Sequence, residues 1–171
     1  MKKSFLFLFM TSTVLIHSCV PFWGDGNDDD FPMVSNYEPV IMKRSVFETT
    51  TTLESTPRAI ENSGKIYVKD DYIFINEVNE GFHLINNSNP SNPQNIGFIK
   101  VLGSSDLSIK EDVIYINNAT DLIAVTIDDT SETLTITKRL ENVFPQIWSP
   151  EGMSYYNLEQ DDIIVNWELI N

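Results

Sequence analysis

The groups in this chain able to do chemistry are few, and their spacing limits what that chemistry can be. There are two histidines and one cysteine among 171 residues. His17 sits in the apolar leader, and His83 lies mid-strand between Phe82 and Leu84. One histidine beside one cysteine cannot build a His/Cys zinc site, and beyond His83 itself there is no partner set for a Ser-His-Asp or Cys-His device. The acids come as adjacent pairs: Asp70-Asp71, Glu111-Asp112, Asp128-Asp129 and Asp161-Asp162. Glycoside hydrolysis needs two carboxylates held about 5–9 Å apart across a sugar. Neighbours on a strand point to opposite faces, and Asp favours tight turns by bonding its own backbone, so these pairs read as turns. Asp25, Asn27 and Asp29 have the spacing of part of a calcium loop, but Asn36 stands where a bidentate acid is required. Trp148, Trp167 and Tyr155-Tyr156 could stack on sugar rings or anchor a partner. Trp167 is expected in the core, and Trp148, flanked by Gln, Ser and Pro, in solvent. There is no Gly-rich phosphate loop and no basic patch. The expectation is a protein that is not an enzyme, with no cofactor and no metal.

The elements that must position these groups begin with an N-terminal leader. Lys2 and Lys3 precede an apolar run from Phe5 to Ile16, and small Ser18 precedes Cys19. This is the pattern of a secretory signal. The run is too short to cross a bilayer, which takes about 20 residues as a helix. Cys19 is the sole cysteine, so it cannot form an internal disulfide. Leu15-Ile16-His17-Ser18-Cys19 resembles a bacterial lipobox, with His17 as its departure. That resemblance implies cleavage between Ser18 and Cys19 and lipidation of Cys19. Each buried CH₂ contributes roughly 0.8 kcal/mol, so two or three acyl chains anchor firmly. The mature chain would hold nine Lys and Arg against 25 Asp and Glu, a net charge of −16. Such a surface repels nucleic acid and anionic headgroups. Membrane attachment is therefore expected through the lipid.

Residues 19–36 mix Gly, Pro, Asn and Asp and read as a flexible acidic tether. Acids shortly after a lipidated cysteine resemble the surface-export signals of some Gram-negative lipoproteins. The expected location is thus the cell envelope, as an outer-membrane lipoprotein exposed at the surface.

Residues 37–171 form the expected folded domain. Residues 66–76 and 107–117 align without a gap at an offset of 41. Each reads as a strand, an acidic turn (Lys69-Asp70-Asp71, Lys110-Glu111-Asp112) and a second strand rich in Ile, Tyr, Phe and Val. Third strands follow near 81–86 and 122–128, the latter with a one-residue slip, and fourth strands at 95–102 and 133–140. Residues 140–148 allow one helical turn, cut short by Pro145. Four short strands per roughly 41 residues is the size of a β-propeller blade. The fold expected is all-β: a partial propeller-like array of about two to three four-stranded blades, at 64–103 and 104–142, with a partial hairpin at 155–171. Residues 38–52, rich in Val, Ile, Thr and Phe, could add a strand over one face, and the hairpin near Trp167 could cover the other.

Residues 64–143 resemble the bacterial LVIVD-repeat proteins. The resemblance rests on Gly64-Lys-Ile-Tyr-Val-Lys-Asp-Asp-Tyr-Ile-Phe-Ile-Asn, on Gly81-Phe-His-Leu-Ile-Asn-Asn-Ser-Asn-Pro-Ser-Asn-Pro, and on Asp121-Leu-Ile-Ala-Val. Pro90 and Pro93 fit the family's Pro-x-x-Pro turn, which the second copy lacks. The likeness implies propeller blades and transfers no catalytic residue. The function expected is a lipid-anchored, non-catalytic interaction module with a protein or glycan partner, and an unclosed array could also self-associate. The alternative is a glycan-binding or accessory-enzyme lipoprotein working through surface acids and aromatics.

Overall fold

Short β-branched runs punctuated by acidic turns leave little room for helix, and the chain folds accordingly. The computed structural model describes residues 35–128 and 133–170. Eleven strands and one helix are described: β1 (Tyr37–Lys43), α1 (Arg44–Phe47), β2 (Thr52–Glu54), β3 (Ser63–Lys69), β4 (Tyr72–Glu77), β5 (Gly81–Asn86), β6 (Gln94–Lys100), β7 (Leu107–Lys110), β8 (Val113–Asn118), β9 (Asp121–Asp128), β10 (Thr133–Leu140) and β11 (Asp162–Leu169). They make three antiparallel sheets, none closed: β2-β6-β5-β4-β3, β10-β9-β8-β7 and β1-β11.

Strands β3–β6 and β7–β10 are two successive four-stranded meanders. Alternation decides their faces. In the first, Phe74, Phe82, Leu84 and Ile99 lie on one face, because Phe74 pairs with Leu84 and Phe82 with Ile99. In the second, Leu107, Ile114, Ile116, Ile123 and Val125 share a face by the same cross-strand logic. These two faces meet in the main core. Lys65 and Tyr67 of β3 both bond Asp106, just ahead of β7, which ties the β3 and β7 edges together.

Two segments depart from the sequence expectation. Residues 155–171 do not form a hairpin. β11 is a single strand, and its antiparallel partner is β1 from the other end of the domain, with Tyr37 opposite Leu169 and Lys43 opposite Asp162. The physical reason is burial. Ile163 and Val165 of β11 and Val40 and Met42 of β1 share a second core with Phe47, Ala119 and Leu102, which a local hairpin through residues 157–161 could not reach. The ribbon thus packs on the meanders' turns rather than covering a sheet face. β2, which begins at the last residue of the segment 38–52, adds to β6 as a fifth strand. No helix forms at 140–148; the helical turn falls at α1 instead.

Beside its middle turn, between β4 and β5 in the first and between β8 and β9 in the second, each meander carries a buried carboxylate that holds a crossing segment. In the first, Glu77 accepts the backbone N–H of Glu61 at 3.1 Å and of Asn62, and lies 2.9 Å from His83 Nε2. In the second, fully buried Asp121 accepts from Arg44 Nη1 at 2.9 Å, Arg139 Nη1 at 2.8 Å and the Asn142 N–H at 3.1 Å. Arg44 follows β1, so this cluster fastens the terminal ribbon to β9 and β10. The Arg139 guanidinium lies over the Phe47 ring, 5.4 Å from its centre.

Candidate binding cleft

The outward face of the second meander carries Ser108, Tyr115, Asn117 and Leu122, the residues that alternate with its core positions. Across this face runs the connection from β10 to β11. It is fastened at both ends. The Phe144 N–H donates to Thr120 O at 2.9 Å. Gln146 accepts the Ile164 N–H at 3.1 Å and donates to Asp162 O at 3.2 Å, and Trp167 Nε1 donates to Ile147 O at 3.0 Å. Trp167 is buried, as the core position expected of it, and its indole N–H thereby fixes the residue next to Trp148. Beyond Trp148 a tight turn locks the chain. The Gly152 N–H donates to Ser149 O, and the Met153 N–H bonds Ser149 Oγ.

Between strap and sheet lies a cleft of about 780 Å³, walled by Phe144, Pro145, Ile147 and Trp148 and floored by Leu107, Ala119 and Leu122. This volume falls within the range of about 300–1,000 Å³ for ligand sites. Trp148 is 63% exposed, and Phe144 and Tyr115 are 38% exposed each. Gly103 on the floor has φ +70°, and a Cβ there would stand 2.7 Å from that of Ala119. Only glycine lets the linker between the meanders approach so closely.

The polar groups of the cleft are largely committed to the fold. Asn117 Oδ1 accepts from the N–H groups of Ser105 and Asp106 at 2.9 and 2.8 Å, and its Nδ2 donates to Gly103 O at 3.1 Å. Among the described residues Asp106 is the one acid in the lining. The Lys65 ammonium and then the Tyr67 hydroxyl hold its carboxyl below the usual range. It therefore stays ionised near neutral pH and is no proton donor. What the cleft offers a ligand is apolar and aromatic surface held in place by a rigid scaffold.

The other groups singled out by sequence lie elsewhere. His83 is fully buried behind Phe98, whose ring is edge-on at 4.9 Å, and Arg58 covers Phe98 at 4.2 Å. Burial alone would raise the Glu77 carboxyl, but the bonds from His83 and from the Asn62 and Glu61 N–H groups bring it below its ordinary value. Sequence reasoning did not pair Glu77 with His83. They are diagonal neighbours on one face of the sheet, because β4 and β5 are joined by a short turn.

The two acidic turns, read from the sequence as hairpin turns, lie side by side: Asp70, Asp71, Glu111 and Asp112 line the mouth of one pocket of about 280 Å³ above Phe74, Leu84, Ile114 and Ile127. Sheet stacking brings equivalent turns side by side. Among the described residues no group of three or more His, Cys, Asp or Glu converges to hold a metal ion. Tyr155 is half-buried and Tyr156 is 89% exposed, and neither lines the Trp148 cleft.

Ser18 and Cys19, and Asp25, Asn27 and Asp29 of the tether, lie outside the described residues. Among the described residues no helix is long and apolar enough to cross a membrane. Compared with known proteins, the chain matches no family model, no curated protein and no solved structure.

Proposed function

We propose that this chain is a lipid-anchored protein of the cell envelope whose β domain is a non-catalytic interaction module. Its two meanders stack as blades of an open, propeller-like array, in keeping with the LVIVD-type pattern of residues 64–143. The observation that carries the binding reading is the Trp148 cleft. An indole held 63% exposed by bonds on both sides of it is an expensive arrangement for packing alone. Exposed aromatic anchors on a rigid frame are how partners are recognised. A protein surface is favoured over a glycan because Asn117, Gln146 and Asp106 already spend their hydrogen bonds within the fold. A sugar needs free donors and acceptors as well as a stacking face. The exposed Tyr115 and Trp148 rings are what favours the glycan reading.

One experiment with two arms tests this. Metabolic labelling with a fatty-acid probe should mark the wild type and leave Cys19→Ala unmarked and released from membranes. Equal labelling of both overturns the anchor. In the second arm, Trp148→Ala in the full chain should abolish binding on peptide and glycan arrays while leaving the melting temperature in place. Ligands bound equally by wild type and variant would overturn the cleft.

A further inference from the structure

The two meanders carry the same apolar pattern but meet different surroundings. Ile66, Val68, Ile73 and Ile75 lie on the first meander's outward face, since Ile66 pairs with Ile75 and Val68 with Ile73. Forty-one residues on, Leu107, Ile109, Ile114 and Ile116 occupy the same register in β7 and β8. That second set packs in the main core, against the face bearing Phe74 and Leu84. Among the described residues the first set has no such cover: Ile66 is 64% and Val68 68% exposed. The segment 55–62 runs over the Phe98 and Glu77 side of this face, with Arg58 on the Phe98 ring and the Glu61 N–H on Glu77, and leaves Ile66 and Val68 exposed.

At the other end of the stack the inverse holds. The counterpart of Phe74 is Tyr115, and the counterpart of Leu84, after the one-residue slip, is Ala124, which pairs with Tyr115. That face looks outward into the Trp148 cleft. The chain therefore contains one completed sheet-on-sheet interface, an open Ile66/Val68 face, and on the second meander a face that the β10–β11 connection covers only in part, leaving the Trp148 cleft.

We propose that these two halves meet between copies: the Ile66/Val68 face of one copy docks in the Trp148 cleft of the next, head to tail. This rests on the reading of the cleft as a binding surface and names its partner as a second copy of the chain. Charge permits it. The chain carries a net −14, so copies repel except through neutral surfaces. The docking face presents Ile66, Val68, Ile73 and Ile75, and Asp106, the one acid among the described residues that line the cleft, is already paired with Lys65. Contacts of this heterologous kind build rings when the rotation closes and filaments when it does not.

The test uses the full chain in sedimentation velocity with reductant present. The wild type should run as dimers or larger species at about 100 µM, a concentration at which a micromolar contact is well populated. Val68→Lys and Trp148→Ala alter exposed positions, so both should fold, which circular dichroism checks. Each alone should run as a monomer. Mixed, they should form a one-to-one complex, because one retains the cleft and the other the apolar face. Failure of the mixture to associate overturns the head-to-tail arrangement. A wild type monomeric at every concentration overturns self-association altogether. If array binding through Trp148 then persists, the cleft reading stands with another partner.

Discussion

The first and second meanders are nearly the same sentence spoken in two settings. β4 and β8 begin 41 residues apart and have the same length, and both follow a hairpin whose first turn residue has positive φ. Yet Ile116 is fully buried, while its counterpart Ile75 is half-buried. The lesson is that the strand pattern specifies which residues share a face, and the neighbour supplied by the rest of the chain decides whether that face becomes core. Apolar residues on an uncovered face are a cost in solubility, which is why the difference carries information.

The comparison is broken hardest at the carboxylates beside the middle turn of each meander. Asp121→Ala leaves two arginines, 14% and 18% exposed at their side chains, without their shared anion. Losing one partner of a buried ion pair costs about 3–5 kcal/mol. Glu77→Ala strands two backbone N–H groups and His83, and a cost of about 1–3 kcal/mol is expected. Urea melts of both variants measure the pair, and a larger loss at Glu77 would reverse the ranking.

Acid should act in the same direction at both sites. Burial works to raise the Asp121 carboxyl, but Arg44, the Asn142 N–H and Arg139 together hold it below its ordinary value. A carboxyl depressed in the folded state binds fewer protons there than in the unfolded chain. Its contribution is fully present above the unfolded value of about 3.9 and is lost as pH falls through the folded one. Glu77, depressed as well, has the same sign. Stability should therefore fall below about pH 4 and fall less steeply in Asp121→Asn, measured by denaturant melts across pH.

A smaller effect sharpens the contrast between the faces themselves. Ile116→Ala removes a fully buried side chain from the contact between sheets and should cost about 2–4 kcal/mol. Ile75→Ala, at the equivalent place on the open face, should cost about 1 kcal/mol, since surroundings that are part solvent lose less. Equal losses would mean that the first meander's outward face is covered in solution, which is what association between copies would produce at high concentration.

How much of this was legible follows from the range of each interaction. The strands of both meanders and their turns were readable because alternation and turn chemistry are local: Ile73-Phe74-Ile75 after Asp70-Asp71 needs no distant partner to be a strand. The β1–β11 pairing was not readable. Tyr37 and Leu169 are far apart in sequence, and nothing in either segment names the other. The exposure of Trp148 could be read from its Gln, Ser and Pro neighbours, but the cleft could not, because it depends on Trp167 and Gln146 tying the strap to β11. Arg44, Arg139 and Asp121 gave no signal beyond being charged. Buried charge clusters are defined by three-dimensional convergence, and an Arg 77 residues before its Asp looks like any surface Arg.

The smallest expected effect lies in the turns, where the two meanders differ by a single residue type. Asp70 has φ +52° and Glu111 φ +55°. Asp and Asn tolerate the left-handed region through local side-chain bonds, whereas other side chains cost about 1–2 kcal/mol there. Asp70→Asn should therefore leave stability within about 0.5 kcal/mol, as surface changes usually do. Glu111→Asn should stabilise the domain by about 0.5 kcal/mol, because it relieves strain that Asp70 does not carry. Both turns are exposed, so no packing change competes with the backbone term. Thermal melts of the two variants side by side measure the difference directly. A gain at Asp70 matching that at Glu111 would show that the strain belongs to the turn's shape and not to the longer glutamate side chain.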